Sequence, residues 1–202
     1  MFHVEPEDLW LQIADASDFP VPHDLSKQLV CYRDWLVAEA IPAGGIGPGE
    51  VSRLDTRHIA DSLLFAMVME PTELVLDVGT GVGLPGIPLA CLLPETRFVL
   101  LDRAARRVGL VRRAARILQL ANVEVVHSDV SDWKDSVPTL VTRATIPPED
   151  LLPSLKSLVT SGGIAVVGGS WNERPEVRGY EVKEIGSAFL DRSVWILMMR
   201  QT

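Results

Sequence analysis

The chain has 202 residues, 47% of them hydrophobic, with 19 Lys+Arg against 27 Asp+Glu and a formal net charge of −8. That length suits one domain with an appendage, and the acidity excludes nucleic-acid binding by bulk attraction, leaving it only to a local basic face. Apolar runs stay below the roughly 18 residues of a membrane span; the start MFHVEPEDLW has no export-signal pattern, and Cys31 and Cys91 lack CxxC spacing, so a cytoplasmic chain without disulfide framework or metal site is expected.

Residues 1–72 read as a helical extension. In HDLSKQLVCYRDWLVAEA the positions Leu25, Leu29, Tyr32, Leu36 and Ala40 recur at helical spacing after possible caps at Asp24 or Ser26. The run IPAGGIGPGE breaks the pattern with glycine and proline. A second helix is expected over LDTRHIADSLLFAMVM, with Asp55 as cap and Ile59, Leu63 and Ala66 facing inward.

From residue 73 the rhythm alternates between strand and helix. Strands are expected in ELVLDVG, RFVLLD, VEVVHSD, LVTRA and GIAVVGG; helices are expected in PGIPLACLL, the arginine-rich DRAARRVGLVRRAARILQL and PEDLLPSLKSLV. Two final extended runs, YEVKEIG and RSVWILMMR, suggest neighbouring antiparallel strands. The order implies an α/β fold, a doubly wound, mostly parallel seven-stranded Rossmann-like sheet over 73–202 behind the N-terminal helical extension.

In such sheets ligands bind at the carboxyl ends of the strands. Gly81, Gly83 and Gly86 satisfy the GxGxxG pattern, which alone is a weak signal for a dinucleotide. The preceding strand ends in Asp77, and a carboxylate there opposes a pyrophosphate but suits a cation. Asp77, Gly79 and Gly81 therefore read as a loop for S-adenosylmethionine, whose sulfonium and ammonium are positive, with Pro85 at a helix start. Asp102 closes the second strand, where a carboxylate can accept from both ribose hydroxyls. After the third strand, the backbone of Val130 and Ser131, or the Asp129 side chain, is placed to meet an adenine. His3, His23, His58 and His127 show no ligand spacing, and no metal is expected.

The segment LVLDVGTGVGLPGIPLACLLPETRFVLLDRAARRVGLVRRAARILQLANVEVVHSD resembles the 16S ribosomal RNA methyltransferase G family, also called glucose-inhibited division protein B. RHIADSL upstream is similar to the family's His-x-x-Asp-Ser-Leu, and VTRAT downstream to its Ser-Arg-Ala. The resemblance implies a class I methyltransferase fold and methyl transfer from S-adenosylmethionine to guanine N7 in small-subunit ribosomal RNA. It also implies cofactor contacts at Gly79, Leu84, Val130 with Ser131, and Arg143. His58, Asp61 and Ser62 match the upstream motif and are expected either beside the chemistry, with Arg143, or as a cluster bracing the glycine loop. Arg106, Arg112, Arg113 and Arg116 offer a basic face for ribosomal RNA or the small ribosomal subunit; the alternative is a solvated helix face. The chain departs from the family's pattern in WLVAEAIPAGGIG, in DVSD and in VVGGSW. A small-molecule or protein methyltransferase, or a non-catalytic S-adenosylmethionine-binding module, would use the same loop. Amine methylation is disfavoured because Ile-Pro-Pro-Glu at 146–149 lacks the amide acceptor and the stacking ring of enzymes that methylate exocyclic amines.

Overall fold

The computed structural model describes residues 5–143, 147–169, 171 and 173–202. His3, the 144–146 part of the Arg-Ala-Thr and Ile-Pro-Pro-Glu runs, and Ser170 of VVGGSW lie outside the described residues. Seven strands form one sheet in the order β3-β2-β1-β4-β5-β7-β6: β1 Leu74–Val78, β2 Arg97–Asp102, β3 Val123–His127, β4 Val137–Arg143, β5 Val159–Gly168, β6 Glu181–Ile185 and β7 Val194–Arg200. The first five are mutually parallel, and β7 runs antiparallel between β5 and β6. The chain winds outward through β2 and β3, then returns past β1 to β4 and β5. The strand order therefore reverses between β1 and β4, where the carboxyl ends leave a crevice.

Strand alternation sorts the apolar side chains onto two faces. Val75, Phe98, Leu100, Val141, Ile164, Val166 and Ile196 enter one cluster, and Leu76, Val99, Leu101, Leu140, Ala165, Val167 and Leu197 the other. The first cluster also holds the buried side of the N-terminal segment, from Trp10 to Met69. The two predicted regions thus share one core. The second face is covered by α6, Pro148–Leu158, through Leu151, Leu155 and Leu158.

Among the remaining helices, α1 spans Pro6–Asp15 and α2 Leu25–Trp35. Leu25, Leu29, Tyr32, Leu36 and Ala40 are all fully buried. Asp24 stands at the start of α2, yet its side chain makes no capping bond. Helix α4, Gly86–Leu92, is buried on every side, as a helix apolar all round must be. Helix α5, Ala105–Ile117, buries Val108, Val111 and Ala114 against the sheet and turns its arginines outward.

The helix expected from Asp55 onward is not regular. A 3-10 stretch at Pro48–Arg53 leads into a π-helical stretch at Leu54–Ala60, a single α turn, α3, at Asp61–Leu63, and a 3-10 stretch at Leu64–Val68. Ile59, Leu63 and Ala66 do face inward. Asp55 is not the cap, because it lies inside the π turn, where its backbone carbonyl accepts from Trp10 Nε1 at 3.0 Å. No described helix is long and apolar enough to cross a membrane.

Candidate functional site

The crevice at the β1/β4 reversal is a cavity of about 720 Å³, lined on one side by Val78, Gly79, Thr80, Gly81, Val82 and Leu84 and on the other by Glu50 and His58. The ends of β2 and β3 add Asp102, Arg103, Ser128, Asp129 and Val130; β4 adds Arg143. That volume is within the range of small-molecule sites.

The glycine turn owes its shape to Asp77, but not as a charged rim. Asp77 is fully buried and absent from the cavity wall. Its Oδ2 accepts from Thr80 Oγ1 at 2.7 Å and from the Gly86 amide at 2.9 Å. Burial pushes its carboxyl up to about 7, against the lowering effect of those two bonds. The expectation that Asp77 sets a negative edge for a cation is therefore corrected: the loop folds over the carboxylate, which holds the turn from beneath. A Cβ on Gly86 would stand 2.6 Å from Asp77 Oδ2 and 2.3 Å from Leu100 Cδ2, so only glycine fits there. Gly79 and Gly81 have φ of 70° and 65° and put their backbone at the cavity wall. From the N-terminal segment, the Tyr32 hydroxyl donates to the Val82 carbonyl at 3.0 Å and ties α2 to the same turn.

Asp102 lines the cavity at the end of β2. Its Oδ2 accepts from the Gly81 amide at 3.0 Å and its Oδ1 from the Ala104 amide at 2.8 Å. Both oxygens keep a lone pair for a further donor. Leu84 and Val130 line the wall as expected, whereas Ser131 does not. Its amide and hydroxyl turn back to Asp129 Oδ1 at 3.0 and 2.9 Å. Those bonds, the amide's first, hold the Asp129 carboxyl below its ordinary range. Ser131 is thus a support for Asp129 rather than part of the wall.

Opposite the glycine turn, Arg143 and His58 meet. Arg143 Nη1 donates to the carbonyls of Arg57 and His58 at 3.2 and 3.3 Å, and Nη2 lies 3.3 Å from His58 Nδ1. A guanidinium has no acceptor, so His58 Nδ1 must be unprotonated. The other ring nitrogen, Nε2, is 3.1 Å from Glu50 Oε2 and therefore carries the hydrogen. Burial, followed by the Arg143 charge, depresses the imidazole pKa and keeps the ring neutral. Glu50 is held below its ordinary range, chiefly by the bond from His58.

Asp61 does not join this group. Its carboxylate pairs with Arg192, and Arg192 also donates to the Thr56 carbonyl at 3.3 Å. Burial raises the Asp61 carboxyl. Its place among the chemical residues is corrected to a brace between the irregular helical segment and the β6–β7 connection. Ser62, fully buried, donates to the His58 carbonyl at 2.6 Å.

The arginine face is also largely committed. Arg106 donates to the Ala43 carbonyl, Arg113 pairs with Glu39, and Arg112 donates to the Val125 carbonyl at 3.0 Å. Two of these clasp α5 to the N-terminal segment; Arg116 is exposed. From the arginine-rich segment Arg103 and Arg107 reach the cavity that Arg143 also lines, and Arg107 lies 3.7 Å from Asp102. Sequence reading counts Arg103 and Arg107 among the arginines of the basic segment but does not place them, or Glu50, at the cavity. Glu50 lay in a stretch read only as a break, and the two arginines flank Arg106 in a segment read for its helical face, while the turn that brings them to the cavity lies at the helix start. Among the described residues, no group of His, Cys, Asp or Glu is arranged to hold a metal.

The residues fit S-adenosylmethionine. Carbonyls of a glycine turn whose amides are already bonded within the protein, a carboxylate with spare lone pairs and an apolar wall at Leu84 and Val130 are of the kind that its ammonium, ribose and adenine require. The family model GidB, rRNA small subunit methyltransferase G, matches residues 26–189. A Chlorobaculum tepidum protein named ribosomal RNA small subunit methyltransferase G is 35% identical over 76% of this chain and 73% of its own. A Flavobacterium psychrophilum protein of the same name is 31% identical over 88% and 90%. For an Acidothermus cellulolyticus relative of that name, 35% identical, the shares are 67% and 61%. Among solved structures, M. jannaschii TYW2 in complex with AdoMet superposes with a TM-score of 0.53 at 14% identity, over 70% of this chain and 73% of that one. TrmN from Thermus thermophilus gives 0.54 at 17%, over 73% and 53%. At these identities the structural likeness speaks for the fold alone.

Proposed function

The chain belongs to the rRNA small subunit methyltransferase G family, and from that premise we propose that it methylates guanine N7 in small-subunit ribosomal RNA with S-adenosylmethionine as donor. The observation that carries the N7 assignment is the state of His58. Its single lone pair is spent on Arg143 and its proton on Glu50, so the ring is placed as a fixture and not as a proton acceptor. Guanine N7 suits such a site, since it offers a lone pair at neutral pH and has no proton to lose. Exocyclic amines and ribose hydroxyls must shed one.

When bound, S-adenosylmethionine supplies an electrophilic methyl on sulfur, and alignment with the nucleophile provides most of the acceleration. The chain's residues divide that work. Asp102 accepts from the ribose, the backbone beside Val130 and Asp129 meets the adenine, and Gly79, Gly81 and Leu84 enclose the remainder. Arg143, held by acceptors on the irregular helical segment, lines the cavity, where a guanidinium suits the cofactor carboxylate or guanine O6. Arg103 and Arg107 at the mouth, with exposed Arg116, are the cations we assign to RNA phosphates, in place of the face formed by Arg106, Arg112 and Arg113. A ribosomal substrate implies a cytoplasmic site of action.

The test is transfer of tritiated methyl to small subunits lacking the modification, followed by digestion to nucleosides. Label in 7-methylguanosine is expected. Label in another nucleoside, or transfer only to protein or to small molecules, would overturn the assignment.

A further inference from the structure

We propose that Glu50 is a positioning residue for methyl transfer: by accepting the Nε2 hydrogen of His58 it locks the imidazole in the one tautomer whose Nδ1 can hold Arg143 against the cavity. The proposal rests on the function just given, in which Arg143 contacts the reactants. Three facts carry it. Glu50, His58 and Arg143 all line the same cavity. They form an unbroken series, with Glu50 Oε2 3.1 Å from His58 Nε2 and His58 Nδ1 3.3 Å from Arg143 Nη2. They also come from three separate elements, the 3-10 stretch Pro48–Arg53, the π-helical stretch Leu54–Ala60 and strand β4, so no local helical repeat accounts for the alignment.

The direction of each bond follows from donor chemistry. Arg143 only donates and an ionised Glu50 only accepts, so the neutral ring between them has one arrangement that satisfies both neighbours. The opposite tautomer would aim an N–H at the guanidinium and a bare lone pair at the carboxylate, losing two hydrogen bonds and creating two repulsive contacts. A protonated ring would keep the Glu50 bond but lose the one to Arg143. Glu50 is itself held, since Oε1 accepts from Arg53 Nη1 at 3.2 Å. The charged groups facing His58 are Glu50, Arg143 and its neighbour Arg57. Two of these favour the observed form, Arg143 by donating to Nδ1 and Glu50 by accepting from Nε2, and Glu50 is the one that accepts.

The carboxylate is not required for this task; an oxygen acceptor is. Glu50→Gln retains a carbonyl oxygen in the same reach, whereas Glu50→Ala removes it. The experiment is nitrogen-15 NMR of the full-length protein with labelled histidine, the His58 signals being assigned by their disappearance in His58→Asn. Methyl transfer is measured in parallel. In the wild type and in Glu50→Gln we expect a protonated Nε2 and a bare Nδ1. In Glu50→Ala, where Arg143 alone still favours a bare Nδ1, we expect signals averaged between the two tautomers. Glu50→Ala should lower kcat more than tenfold with KM for S-adenosylmethionine within about twofold, and Glu50→Gln should recover kcat to within about threefold. Wild-type His58 signals in Glu50→Ala, or equal loss of kcat in Glu50→Gln and Glu50→Ala, would overturn the proposal. The NMR arm needs no substrate. Failure of the wild type to modify small subunits would therefore count against the proposed substrate, while the His58 signals would still decide the role of Glu50.

Discussion

The two walls of the cavity are built in different ways. The glycine-turn wall grows from the carboxyl ends of regular parallel strands, and it is mostly backbone, in a turn shaped by two buried or nearly buried acids, Asp77 and Asp102. The facing wall grows from a segment that passes through 3-10 and π turns before one α turn, and its polar groups are side chains, Glu50 and His58. Strand ends give reproducible backbone geometry, which suits a cofactor of constant shape. Irregular helical turns redirect side chains by less than a full turn, which suits the alignment of a reaction. The comparison implies that damage to the first wall is felt as lost stability and lost cofactor affinity, and damage to the second as lost turnover.

The largest effect is expected where the first wall is tightest. Gly86→Ala forces a Cβ into Asp77 and Leu100 and should cost about 3 kcal/mol of stability; an unchanged denaturant midpoint would break the view that the loop is sealed over Asp77. Next comes the pH dependence of that seal. Asp77 has a folded pKa of about 7 against 3.8 for the unconstrained group, so the folded state holds this proton more tightly than the unfolded chain. Its contribution to stability is therefore greatest below about pH 4, falls as pH rises to about 7, and is flat beyond. Asp77→Asn should remove that slope and gain roughly 2 kcal/mol relative to wild type between pH 5 and pH 8. Denaturant melts that run parallel at the two pH values would contradict it. A smaller effect is expected at the mouth, where Arg103→Glu should weaken RNA binding several-fold and flatten its salt dependence by about one phosphate contact. The least is expected of Arg113→Ala. Its guanidinium is already paired with Glu39, and RNA affinity should stay within about twofold in a filter-binding titration.

The same contrast explains what could be read from the chain. Short continuous apolar runs in LVLDV and RFVLLD, each buried on both faces, and glycines starting two residues after an acid announce the strand-end wall; Gly79, Leu84, Asp102 and Val130 stand there. Asp77 was legible as an important acid but not as a buried one, because the return of Gly86 over it depends on a close approach that sequence spacing does not express. Ser131 failed for a related reason, its hydroxyl being captured by Asp129 two residues away. On the other wall, apolar spacing located the buried side at Ile59 and Leu63, since core packing demands it whatever the turn type. It could not show that π and 3-10 turns rotate His58 toward Glu50 and leave Asp61 with Arg192. The basic face of α5 was legible as a pattern, but its acceptors, Ala43 and Glu39, lie far away in the chain.

The division between the two walls is tested most directly by calorimetric titration of S-adenosylmethionine into Asp102→Ala and His58→Ala, alongside their methyl-transfer rates. Asp102→Ala should lose measurable binding while retaining a cooperative unfolding transition, and His58→Ala should bind within a few-fold of wild type yet transfer methyl at less than a tenth of its rate. Wild-type affinity in Asp102→Ala, or loss of affinity in His58→Ala matching its loss of rate, would contradict the account.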